Sequence, residues 1–167
     1  MNEEKQKIIT HVGMWLAAIA GSISGLGYAI GGYLLDWGPG GSMEGPLWRV
    51  LLVGIPSALA GAYIGELIVR KLAKTMFAIQ WTNTKNTIKA FVVVFLGCIV
   101  AFIVGLEVGF ILGKITGAIE GLEWLTILLY APIMATLYGL LPSLGLGVLY
   151  GGFVFIYLLT TSLAPNR

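Results

Sequence analysis

The chain holds 167 residues, of which 57% are hydrophobic and 11% charged, and its mean hydropathy is +0.91. Those values exclude a soluble enzyme and a disordered chain, and a single cysteine, Cys98, excludes a disulfide scaffold. A formal net charge of +2 scattered over the connections is too small for a nucleic-acid surface, which leaves an integral membrane protein.

A helix crossing a hydrocarbon core of about 30 Å needs roughly 20 apolar residues, so uncharged runs convert directly into spans. The first, over 12–35, lies in the uncharged stretch from Ile8 to Leu35. Its Ala18-Ile19-Ala20 before Gly21 resembles a signal-cleavage site, but Glu3 and Glu4 precede it and only a handful of apolar residues separate His11 from the cut, so the span is expected to stay. The second, 47–69, is centred on Val50 to Gly65. The connection from Leu72 to Thr87 mixes Met76, Phe77, Ile79 and Trp81 with Lys74 and Lys85, a pattern that suits a membrane-hugging loop or a docking surface. The third span, 89–113, is built on Ala90 to Leu106.

From Trp124 to Asn166 there is no charge at all. At helical rise that run would extend about 65 Å, twice the core thickness. Because Leu141-Pro142-Ser143-Leu144-Gly145 interrupts it with a proline and a glycine, the expectation is two short helices, 124–141 and 145–163, with a re-entrant pair as the rival. The predicted fold is therefore an all-α polytopic bundle of about five spans, forming a single membrane domain. Continuous apolar runs argue against a barrel, whose strands alternate. Lys5 and Lys7 precede the first span, and Arg70, Lys71, Lys74, Lys85 and Lys89 lie between the second and third, which places the N-terminus in the cytoplasm and the chain in the cytoplasmic membrane. With five spans the C-terminus ends outside.

Gly105, Gly109, Gly113, Gly117 and Gly121 recur at every fourth residue, and Gly21/Gly25, Gly27/Gly31, Gly61/Gly65 and Gly147/Gly151 repeat the device. Stripes without side chains let helices approach closely. They are expected to pack the chain's own helices, with at least one stripe open to another subunit as the sharper alternative. An internal repeat is also suggested. Gly27 to Gly31, then Trp48 and Pro56, parallels Gly105 to Gly109, then Trp124 and Pro132, with the same Trp-to-Pro spacing.

Within residues 22–72, Gly27, Gly31, Gly32-Tyr33-Leu34-Leu35-Asp36, Pro46, Gly54, Ala60-Gly61 and Arg70 form a pattern that resembles the small AtpI/AtpZ-type membrane proteins of bacterial F-type ATP synthase operons. The resemblance implies a two-helix hairpin, assistance in assembling the rotor ring, and a link to Mg²⁺ or Ca²⁺ movement. Nothing after Thr87 corresponds to that family unless the second half is a degenerate copy.

Enzymatic signatures are missing, and neither a cofactor nor a metal site is expected: one His and one Cys exclude zinc sites of the Cys/His type, and no phosphate loop occurs. An ionisable residue inside a membrane needs a partner, water or a task. Glu107, bracketed by Gly105 and Gly109, is the leading candidate for cation or proton binding, against a structural pair with Arg49 or Lys114. Glu66 sits four residues before Arg70, the spacing of a helical ion pair. Asp36, with Glu44, Glu120 and Glu123, forms an acidic outer rim. Pro56, Pro132 and Pro142 are candidate hinges, the first two suggesting a central cavity. The expected function is that of a non-enzymatic subunit or assembly partner, homo-oligomeric or joined to other membrane subunits. A small oligomeric transporter or channel is the alternative.

Overall fold

A computed structural model describes residues 3–34, 46–77, 83–120 and 123–163. They form four α-helices: α1 (Glu3–Leu34), α2 (Leu47–Met76), α3 (Asn83–Ile115) and α4 (Trp124–Leu163). All four are long and apolar enough to cross a membrane. Much of the Leu72 to Thr87 connection is helical, continuing α2 to Met76 and opening α3 at Asn83.

Local chemistry accounts for several of the helix ends. Glu3 and Glu4 lie in the first turn of α1, where carboxylates complement the positive end of the helix dipole. Pro46, extended at φ −72° and ψ 152°, immediately precedes α2, where its missing N–H costs nothing. At the far end of α2, Lys89 Nζ donates to the Met76 carbonyl at 2.6 Å, so a cation covers an otherwise orphaned acceptor.

The end of α3 corrects the glycine reading. Gly117 adopts φ +67°, while the Ala118 N–H donates to Gly113 O at 2.8 Å and the Gly117 N–H to Lys114 O at 3.3 Å. This is a Schellman turn, in which a residue past the helix end takes the left-handed conformation that glycine tolerates best. Gly117 therefore terminates the helix rather than extending the stripe of Gly105, Gly109 and Gly113. Gly121, like Asp36, lies outside the described residues.

A second correction concerns Pro142. The helix does not break there: α4 runs unbroken for 40 residues, with Pro132 and Pro142 both inside it. Proline removes one donor and crowds the preceding turn, yet in hydrocarbon a helix remains the arrangement that satisfies every other backbone group. Packing reinforces it, since Ala135, Gly139, Ser143, Gly147 and Tyr150 fall in turn on one buried side that continues through Pro142. At about 1.5 Å per residue such a helix exceeds a bilayer core of about 30 Å, so it must tilt or project past the core.

Four hydrogen bonds give the topology. Lys5 Nζ donates to Thr161 O at 3.4 Å, the Tyr150 hydroxyl donates to Ile9 O, and Lys89 reaches Met76. The start of α1, the end of α2, the start of α3 and the end of α4 thus share one end of the bundle. At the opposite end Arg49 Nη1 donates to Gly117 O at 3.4 Å. The close of α4 therefore lies beside the start of α1, which corrects the five-span placement of the C-terminal end on the other side. The helices form two antiparallel hairpins, α1–α2 and α3–α4. Among the described residues α1, α2 and α3 pack mutually, whereas α4 lies on α3 and touches α1 but not α2.

Candidate functional site

Where α1, α2 and α3 come closest, the seam is made from residues with little or no side chain. A Cβ added at Gly61 would lie 2.9 Å from Ala101 O and 3.0 Å from Gly21 Cα. One at Gly65 would meet Ala101 Cβ at 2.7 Å and Ala17 O at 2.9 Å, and one at Gly105 would meet Ser24 Oγ at 2.6 Å. At Gly21 and Gly25 the opposing atoms are the backbone of α2 itself, around Gly61 and Ala58. Close backbone approach is how membrane helices gain contact energy where lipid removes the hydrophobic drive between them. Gly113 is different, because its neighbour is Ile119, just beyond the Schellman turn.

Gly27 takes no part in this seam. It is exposed, and a Cβ there would meet only Ile23 of its own helix at 3.9 Å. Gly31 is half-buried. Gly21 and Gly25 of α1 do meet α2, six residues earlier than the Gly27/Gly31 pair of the repeat pattern. Gly27 and its repeat counterpart Gly105 consequently occupy unlike surroundings.

Polar groups punctuate the seam. Ser24 Oγ donates to the Phe102 carbonyl at 2.9 Å, tying α1 to α3. Ser57, fully buried, donates back to Val53 O one turn earlier. The Tyr28 ring leans on Phe110 at 4.9 Å between centroids and covers Gly109, yet its buried hydroxyl has no hydrogen-bond partner. Composition concealed Ser24 and Tyr28, although their spacing of three and seven residues from Gly21 places them on the helix face that the seam uses.

Glu107 has neither of the ion partners expected for it. Its Oε2 is buried with no hydrogen-bond partner. Arg49 is engaged elsewhere: Nη1 donates to the Gly117 carbonyl, and the guanidinium carbon lies 5.7 Å over the Trp48 ring. There the cation complements the carboxyl end of the α3 dipole, although its buried Nε has no partner. Glu66 does pair with Arg70 at 2.7 Å, with side chains 37% and 62% exposed. An ion pair that solvated adds little stability.

The prolines do not share a cavity. Pro56 is exposed on the outer side of α2, beside a shallow groove with Trp48, Leu51, Leu52 and Ile55. Pro132 and Pro142 belong to α4, which does not pack on α2 among the described residues. Among the same residues no three His, Cys, Asp or Glu side chains converge. Cys98 is buried in the α3 core.

The α3–α4 contact is built by another device. Phe102 fills the notch at Gly139, and Phe91 and Phe95 that at Gly147. Tyr150, 2% exposed, crosses to α1, where it lies against Gly13 and donates to Ile9. The outer side of α4 carries exposed Leu141, Leu144, Val148, Leu149 and Ile156, together with Gly145 and Gly152, where an added Cβ would meet nothing within 4 Å. No family model matches this chain, and neither a curated protein nor a solved structure does.

Proposed function

We propose that this chain is a non-enzymatic subunit or assembly partner of a complex in the cytoplasmic membrane, and that it receives its partner on the outer face of α4. The observation carrying this reading is the pair Gly145 and Gly152, open to their surroundings on a helix whose inner glycines Gly139 and Gly147 are filled by phenylalanine. Seven residues apart, they lie nearly in line on one helix face. Glycine inside a helix costs about 1 kcal/mol relative to alanine, and among the described residues no neighbour uses the room it leaves. A helix from another subunit, or from a second copy, fits that notch by the same close packing as the inner seam. The basic end, with Lys5, Lys7, Arg70, Lys71, Lys74, Lys85 and Lys89, faces the cytoplasm in this reading.

Purification in mild detergent, followed by mass analysis of co-migrating chains, tests it. The expected result is a stoichiometric partner that is lost in Gly145→Leu/Gly152→Leu; a lone monomer would contradict the proposal. The AtpI/AtpZ-type resemblance of residues 22–72, which fall largely in the α1–α2 hairpin, makes ATP-synthase rotor subunits the first partners to look for.

A second reading rests on Glu107. A carboxylate oxygen buried without a partner is costly to keep in a membrane, and cation transport by an oligomer would give it a task. Flux into liposomes tests this: transport that survives Glu107→Gln unchanged would remove Glu107 from any such mechanism.

A further inference from the structure

At the basic end, residues of α1 and α2 line a groove of about 830 Å³. Its rim carries Lys7 on α1 with Arg70 and Lys74 on α2, and the same wall continues along α1 through Val12 to Met14. From Lys7 to Met14 is about 10 Å of helix rise, so the lining passes from cationic groups through Thr10 and His11 to apolar Val12 and Met14 within a single acyl segment's depth. Trp15, 61% exposed, follows immediately, with its indole N–H donating to His11 Nε2 at 3.0 Å. An exposed tryptophan with a satisfied polar edge suits the boundary between headgroups and hydrocarbon.

We propose that this groove binds one anionic phospholipid, its phosphate between Lys7, Arg70 and Lys74 and its acyl chain along Val12 and Met14. The facing acidic groups are Glu3, on the rim, and Glu66, which accepts from Arg70 at 2.7 Å. Three cations against two carboxylates leave the groove positive. The Glu66 contact also engages one edge of the Arg70 guanidinium and leaves its other donors for a phosphate. A free phosphate would use the rim alone. The adjoining Ile8, Val12 and Met14 suit a ligand that also has a hydrocarbon part. This inference rests on the membrane reading of the helices and is independent of any partner on α4.

The test uses the full chain in lipid nanodiscs of phosphatidylcholine with phosphatidylglycerol, transferred to detergent and weighed intact with its retained lipids. Phosphatidylglycerol should be retained in preference to phosphatidylcholine, and Lys7→Gln/Lys74→Gln should reduce that retention about 25-fold, since each lysine near anionic lipid contributes about a factor of five. Lys7→Arg/Lys74→Arg, which preserves charge, should keep the lipid, as should Lys114→Gln at the opposite end. Inorganic phosphate at millimolar concentration should fail to displace it. Equal retention of the two lipids would overturn the proposal. So would indifference to the double glutamine variant, an equal loss in the arginine variant, or full displacement by phosphate, which would mark a site for the free anion.

Discussion

The two sides of α3 are packed by opposite means. Toward α1 and α2 it presents Ala101, Gly105 and Gly109, which let backbones and Ser24 come within contact; toward α4 it presents Phe91, Phe95 and Phe102, which fill glycine notches. The first contact allows almost no tolerance, because backbone cannot move aside. The second is a fit of large side chains into gaps, which can repack at modest cost. The difference separates a rigid three-helix unit from a helix laid against it, whose outer face is apolar and open at Gly145 and Gly152.

The sharpest way to break that comparison is Gly21→Ala. Overpacking usually costs about 1–3 kcal/mol; here the opposing atoms are the Gly61 and Ala62 backbone, so the loss should reach or exceed about 3 kcal/mol. A thermal midpoint in detergent measures it, and a wild-type value would mean that the helices are not this close. Glu107→Leu should act in the other direction and raise stability by about 1–2 kcal/mol, because an unpartnered buried oxygen disappears. A fall in the same midpoint would reveal a structural partner. Tyr150→Phe should cost about 1 kcal/mol, the usual scale of an interhelical hydrogen bond in a membrane, by releasing the latch from α4 to Ile9. Gly145→Ala and Gly152→Ala should each raise the stability of the isolated chain by up to about 1 kcal/mol, since nothing lies within 4 Å of either new methyl. A large loss there would place another part of the chain against α4.

Spans one to three were legible because charge bounds them: Lys7, Asp36, Glu66, Lys89 and Glu107 mark where an apolar run meets polar residues. The fourth lacks such marks, and Pro142 predicts a break because in water an interior proline ends a helix readily. Hydrocarbon offers freed carbonyls no solvent, and the buried series through Ser143 and Gly147 holds the register. Gly117 shows a different limit. Fourfold spacing cannot distinguish a glycine that packs from one that caps, although Lys114 three residues earlier is the basic last turn that precedes a C-cap. Arg49 and Glu107 could not be paired or separated from sequence, because the choice depends on which carbonyl the α3 turn offers to the guanidinium.

The four-helix topology depends most on α4 being one unbroken helix that returns to the end where α1 begins. In a Cys98→Ala background, single cysteines at Lys5 and at Ser162 can be labelled in sealed vesicles with a membrane-impermeant maleimide. Both positions should react from the same side of the bilayer; labelling from opposite sides would restore a break near Pro142 and contradict the four-helix topology.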